Sequence, residues 1–460
     1  MGKLSELLNH PEEIWPVIQL YFETKTRALP KDETWRWCYG ALNRTSRSFA
    51  LVIQQLPNEL KNSVCVFYLV LRALDTIEDD MSVDKSVKVP ALRSFHEKIS
   101  DRGFTMQCGT KPQEIELMSN YARVADAYLT LPQPMQRVIK DITRRMGEGM
   151  SKFIDKEVRT VEDWDEYCHY VAGLVGIGLS HLFSASELEA GELAEMEDLA
   201  NNMGLFLQKT NIIRDYLEDI NEEPAPRMFW PEEIWGKYGK NLADFKNPQN
   251  ISSAVHCLDH LVVNALGHVE GCFDYMIRLR NPAIFRFCAI PQVMAMGTLS
   301  LCYNNPEVFR GIVKMRRGQT ATLMMGLDGM ESLYRSYSEF ARSISMKCQG
   351  VHGPKDEEIM KLTLKRVERI EELCAKGIAR YEKSRDPKQT AVDEPIPIPV
   401  RLGVLFMFGG YFMYAWGMRD LRDSLGVDRP GDYRIDILQK TMACFGLLFA
   451  LFILFTGKRI

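Results

Sequence analysis

Over residues 20–381 the apolar side chains recur at three- and four-residue spacing, as at Leu362, Val367, Ile370, Leu373, Cys374 and Ile378. That is the period of a helix face turned to a core, and the short alternating runs that mark strands do not occur in it. Proline and glycine fall at the joints: Pro57, Pro90, Pro132 with Pro134, Pro224 with Pro226, Pro248, Pro282, and Gly350 with Gly353. No βαβ unit and no short internal repeat is visible. The pattern predicts one all-α body over residues 1–381.

The chemistry of the chain changes after that point. Residues 382–400 read EKSRDPKQTAVDEPIPIPV, whose four prolines and mixed charges suit an extended linker. Residues 401–460 are expected to be a membrane anchor containing two apolar runs, 402–418 and 441–457. The second holds nine Leu, Ile or Phe residues, which favour insertion by roughly 3 to 5 kcal/mol in sum. At 1.5 Å rise per residue such a run spans about 25 Å, near the thickness of an endoplasmic-reticulum bilayer. The first run carries four glycines with Tyr411, Tyr414 and Trp416, and either crosses the bilayer or lies in its interface. Basic residues flank both runs, so the number of crossings stays open.

Composition removes several function classes. Fifty-seven basic against 61 acidic residues give a net charge of −4 and a pI near 6.1, so a general nucleic-acid binder is not expected. Eleven cysteines at irregular places, with no C-x-x-C pair, predict reduced thiols rather than a disulfide framework or zinc ribbon. No G-x-x-x-x-G-K-[ST] phosphate loop occurs. His256, Cys257 and His260 could be drawn as a zinc site, but they lack the glutamate of H-E-x-x-H, and an amphipathic core helix explains them.

One acidic pattern appears twice: Asp75-Thr76-Ile77-Glu78-Asp79 and Asp215-Tyr216-Leu217-Glu218-Asp219. On a helix each copy places three carboxylates on one face, where like charges repel, so a cation should compensate. The stretches leading in, VCVFYLVL at 64–71 and MGLFL at 203–207, belong to helices buried on most sides. Tyr68, Arg72, Asp75 and Asp79 form one polar stripe; Gln208, Asn211, Asp215 and Asp219 form another. Two such stripes predict a shared cavity with acidic rims. Hard carboxylate oxygens that leave room for other ligands suit Mg²⁺ shared with a substrate's diphosphate. An apolar, aromatic wall would then shelter a carbocation from water.

Residues 167–178, YCHYVAGLVGIG, could be that wall. Each helix-interior glycine costs about 1 kcal/mol relative to Ala. Gly173, Gly176 and Gly178 therefore need a reason: either another helix packs closely or an isoprenoid chain lies on the bared backbone. By helical spacing Tyr170 shares a face with Gly173, and its phenol is a candidate proton carrier.

These motifs resemble the squalene synthases (farnesyl-diphosphate farnesyltransferases) among the trans-isoprenyl head-to-head synthases. The matching blocks are SRSFA at 46–50, LRALDTIEDD at 71–80, residues 167–184, residues 204–219 and FCAIPQ at 287–292. The resemblance implies an all-α isoprenoid-synthase bundle around a central cavity. It implies that two farnesyl diphosphates condense to presqualene diphosphate, which NADPH reduces to squalene, the first step committed to sterol biosynthesis. By that likeness Asp75, Glu78, Asp79, Asp215 and Asp219 hold Mg²⁺, Tyr170 gives acid/base help, and Phe287 shelters a carbocation. Ser48, Phe49, Tyr68, Gln208, Asn211 and Gln292 are carried over as substrate contacts. NADPH has no Rossmann turn to bind here; the resemblance assigns it to Arg47, Arg72, Arg214, Lys314 and Arg316. A monomeric catalytic domain facing the cytosol, anchored to endoplasmic-reticulum lipid, is also implied. The rivals are a phytoene-synthase-like enzyme that releases an unreduced product, and a membrane-anchored scaffold without chemistry. The second leaves both carboxylate stripes unexplained.

Overall fold

The computed structural model describes residues 10–26, 30–349 and 356–384. All their regular structure is helical, as the spacing predicts. The chain divides into two compact units, Met1–Ile378 and Ala379–Ile460. Of the second, residues 379–384 are described. The expected anchor runs, 402–418 and 441–457, and the Gly350/Gly353 joint lie outside the described residues.

Eleven helices carry the argument: α1 (Ile14–Thr26), α2 (Asn58–Asp79), α3 (Lys85–Lys98), α4 (Gln133–Phe153), α5 (Val161–Cys168), α6 (Leu174–Ala185), α7 (Glu197–Arg214), α8 (Tyr216–Asp219), α9 (Pro282–Cys302), α10 (Arg317–Gly326) and α11 (Asp356–Ser384). α7 lies at the centre, packed on α5, α6 and α9. α4 packs on α2, α3 and α6, while α1 packs along α10. The helix α11 extends three residues into the segment expected to be linker.

Most predicted joints are real. Pro57 caps α2, Pro132 caps α4, and Pro282 is the first residue of α9, positions where a missing N–H costs nothing. Pro90 is a correction: it sits inside α3. The expected boundary fails there because α3 starts at Lys85, so Pro90 forfeits only one ladder bond while Leu92 and Phe95 stay buried.

α5, the turn after it and α6 form one apolar span, Val161–Ala185, and with Pro282–Cys302 it is long and apolar enough to cross a membrane. Both are packed into the body instead. The glycines of the first span explain how. A Cβ on Gly176 would lie 2.4 Å from the Ala200 carbonyl oxygen, and one on Gly204 would lie 2.3 Å from that of Ala172. Gly178 meets the Phe67 ring, whose Cζ would be 2.6 Å from a Cβ. Of the two explanations for this glycine run, close helix packing is the one at work: backbone lies against backbone between α6 and α7.

Ten cysteines fall in the described residues, and all are free and buried. His260 shares a contact with the Tyr238 hydroxyl at 3.2 Å, and His256, Cys257 and His260 form no metal-ligating group among the described residues.

Candidate active site

α2 delivers the first acidic motif on its last turn. Val64, Val66, Phe67, Val70 and Leu74 are buried, so the helix is clamped along its length and its final carboxylates have little freedom. Asp80 closes the helix and is spent on backbone: its carboxylate accepts the Ser82 N–H at 2.9 Å and the Gly109 N–H at 2.8 Å. Gly109 takes a positive φ of 111° to make that approach. Asp75, Glu78 and Asp79 remain for other work.

The second motif is not one continuous helix. α7 stops at Arg214, Asp215 occupies the turn with φ −90° and ψ 15°, and α8 follows as a single turn. The polar stripe survives the break. Asp215 N–H bonds the Asn211 carbonyl at 2.9 Å and Asp219 N–H bonds the Asp215 carbonyl at 3.0 Å, so the four-residue register carries through.

Arg227 joins the two motifs, and sequence reasoning missed it. Its guanidinium bonds Glu78 at 2.8 Å and also Asp79, while its backbone N–H donates to the Asp219 carbonyl at 3.0 Å. The guanidinium carbon lies 5.3 Å from the Phe229 ring, which stacks on Tyr167 at 3.9 Å. Trp230 pins the segment by donating its indole N–H to the Ile212 carbonyl at 2.9 Å. The cation demanded by the repelling carboxylates was the available signal; the prolines at 224 and 226 hint that the loop turns back.

The electrostatics are those of an acidic site with too little positive charge. Burial pushes Asp75 up to about 6, with Arg72 opposing and Asp79 adding to the rise. Burial raises Glu78 as well, against the pull of Arg227. Asp219 rises to about 7, first through burial and then through Asp215, with Arg227 opposing. For Arg227 burial works against the charge, but Glu78, Tyr167 and Asp79 outweigh it. Carboxylates held in this way favour a proton or a metal ion.

Three of the five predicted basic residues are already engaged. Arg72 lies 3.7 Å from Asp75. Arg214 forks onto Asp215 at 2.7 and 2.6 Å. Arg316 bonds Glu13 at 2.6 Å, and Lys314 is exposed. Arg47 opens the helix Arg47–Ile53; the side chains of Arg47 and Ser48 are outside the described set.

Among the predicted substrate contacts, Phe49 is exposed with its ring 6.0 Å from that of Tyr68. The Tyr68 hydroxyl and the Arg72 Nε are enclosed without a hydrogen-bond partner. Gln292 is buried in the α7/α9 contact, where Nε2 donates to the Met203 carbonyl at 2.9 Å and Oε1 has no partner. Unpaired buried polar atoms are rare in folded proteins, and these belong to residues predicted to meet ligand. Gln208 is half-buried and Asn211 exposed. Phe287 is buried with its ring edge-on to Phe183 at 6.1 Å.

Tyr170 departs from the expected geometry. Residues His169–Gly173 form a π-helical turn between α5 and α6, so simple 3.6-residue spacing does not set which face Tyr170 shares. The turn is held where Asn201 Oδ1 of α7 accepts a hydrogen bond from His169 Nδ1 at 2.8 Å and crowds Gly173. The Tyr170 ring lies against Gly149 of α4, where a Cβ would come within 2.0 Å of it. Single π turns of this kind often mark functional sites.

Two cavities flank the motifs. One of about 320 Å³ is lined by Arg214, Asp215, Leu217, Glu218, Asn221 and Ile312. The other, about 510 Å³, has Glu78, Lys88, Phe153, Arg227, Phe229 and Trp230 in its walls.

Comparison with known proteins gives the family and the fold. Residues 42–319 match the family model described as squalene/phytoene synthase. The chain is similar to squalene synthase LSS of Botryococcus braunii, 52% identical over 92% of this chain and 90% of that one. It is 49% identical to squalene synthase 1 of Arabidopsis thaliana over 89% of this chain and 99% of that one. Among solved structures, TcSQS in complex with the ligand BPH1237 matches with a TM-score of 0.69 and 44% identity, covering 74% of this chain and 99% of that one.

Proposed function

The chain belongs to the squalene/phytoene synthase family and is a prenyltransferase of the squalene synthase kind; we propose how its own residues carry that activity. Two farnesyl diphosphates condense head to head to presqualene diphosphate, and NADPH reduces this to squalene.

The observation that carries the reading is the meeting of two acidic motifs on Arg227, with Asp75 and Asp219 pushed up in proton affinity. That donor set of hard oxygens, short of positive charge, fits Mg²⁺. Asp75, Glu78, Asp79, Asp215 and Asp219 would hold it, Glu78 and Asp79 in exchange for their contacts with Arg227. Bound there, Mg²⁺ supplies a Lewis acid that takes up charge on the departing diphosphate. Arg227 keeps the two rims apart by a fixed span and balances them when metal is absent. Tyr170, held in place by Gly149, moves a proton in the first half-reaction. Phe287, edge-on to Phe183, would offer a ring face to cationic carbon without offering it a nucleophile. Arg47, Arg72, Arg214, Lys314 and Arg316 attract the phosphates of NADPH, the source of hydride.

The apolar runs at 402–418 and 441–457 support a membrane anchor; its place in the endoplasmic reticulum and a monomeric catalytic body on the cytosolic side are carried over from the family. Cutting after Val392 is expected to release an active body into the soluble fraction.

A product assay tests the whole reading: farnesyl diphosphate with Mg²⁺, with and without NADPH. Squalene with NADPH and presqualene diphosphate without it are expected. An unreduced C30 polyene in both cases would replace this reading with that of a non-reducing condensing enzyme.

A further inference from the structure

The N-terminal part of the body contains a buried carboxylate for which neither the metal site nor the prenyl chemistry has a use. Glu13 ends the short turn Pro11–Glu13 that leads into α1, and it is 4% exposed. Its Oε1 accepts a hydrogen bond from Arg316 Nη2 at 2.6 Å, across 303 positions of sequence. The fold has made room for this contact. α1 packs along α10, whose first residue follows Arg316 directly. Gly318 leaves the necessary space: a Cβ there would lie 2.1 Å from Glu13 Oε2 and 2.5 Å from Glu13 Cβ. Glu13 is thus enclosed against the half-buried guanidinium of Arg316, while Lys314 and Arg317 are exposed.

An anion arriving at Arg316 must share the guanidinium with a fixed carboxylate. Two anions on one guanidinium stand about 6 Å apart, and at a dielectric between that of a protein surface and water their repulsion weakens binding by roughly three- to tenfold. We propose that Glu13 sets the affinity for NADPH, acting as a counter-anion built into the fold that competes with a dinucleotide phosphate for Arg316. This rests on the reading of Arg316 as a phosphate contact.

The test is steady-state kinetics of the full chain with NADPH varied at saturating farnesyl diphosphate and Mg²⁺. Glu13→Gln keeps the shape and an acceptor for Arg316 Nη2 but removes the charge. Its KM for NADPH is expected to fall three- to tenfold, with kcat changed less than twofold. Gly318→Ala fills the space Glu13 occupies and should shift KM in the same direction by a smaller factor, which keeps the idea testable if Glu13→Gln folds poorly. The gain should shrink as salt is raised, a response that a packing defect would not give. Arg316→Gln should raise KM at least tenfold, and adding Glu13→Gln to it should bring no recovery. If Arg316→Gln raises KM while Glu13→Gln and Gly318→Ala leave it unchanged or raise it, the role of Glu13 is overturned and the phosphate contact stands. If Arg316→Gln leaves KM unchanged, the phosphate contact itself falls, and the proposal with it.

Discussion

Asp219→Asn should stabilise the metal-free protein while destroying its activity. Asp219 has an ordinary value of 3.8 and stands at about 7 in the folded chain, pushed up by burial and by Asp215. A folded-state value above the unfolded one means that the folded chain holds the proton more tightly. The stability linked to this group is therefore fully present below about pH 4 and is lost as pH rises through about 7. Three units correspond to about 4 kcal/mol at most. Because Asp219 is only partly buried, solvent screening reduces this to about 1 to 3 kcal/mol. Asparagine carries no charge and removes the penalty.

Denaturant unfolding of metal-free wild type and variant at pH 5 and pH 8 checks this. At pH 8 the variant is expected to be more stable by that amount; at pH 5, where folded Asp219 is protonated but the unfolded chain's Asp219 is still ionised, the gap should narrow without closing. Mg²⁺ should then stabilise the wild type by binding the folded state and leave the variant little changed, reversing their order. A variant no more stable than wild type at pH 8, or equally favoured at both pH values, would refute the argument.

Other substitutions probe other parts of the site. Arg227→Met leaves Glu78 and Asp79 facing each other without their cation, and should cost about 2 to 4 kcal/mol in metal-free unfolding, partly recovered by Mg²⁺. Gly149→Ala drives a methyl into the Tyr170 ring; presqualene diphosphate formation should fall at least tenfold, with a smaller loss in melting temperature. Gly176→Ala sets a methyl 2.4 Å from the Ala200 carbonyl oxygen, and because that obstacle is backbone it should cost more than the roughly 1 kcal/mol gained in helix propensity, lowering the melting temperature. Asp79→Asn should abolish turnover while circular dichroism stays that of the wild type.

What could be read in the sequence was what is written locally. The helix period and the twofold acidic motif each repeat within five residues, so both survive to the structure, the second even through the break at Asp215. The glycine run between 173 and 178 announced a close approach but not its partner. Gly204, which completes the contact, lies on another helix, and nothing in either stretch names the other. The π turn was hidden for the same reason: it is held by Asn201 of α7 against His169 and Gly173, a tertiary demand on a stretch whose own residues suit an ordinary helix. Charge balance shows the limit most clearly. Repulsion within each motif required a compensating cation, yet 57 lysines and arginines were available. The one that serves both motifs is 148 residues from Asp79, brought there by a loop of no regular structure and pinned by Trp230. A motif can therefore state that it needs a partner, but only closure of the chain decides which residue it is. The same holds for Arg316, whose partner Glu13 comes from the other end of the body, 303 positions away.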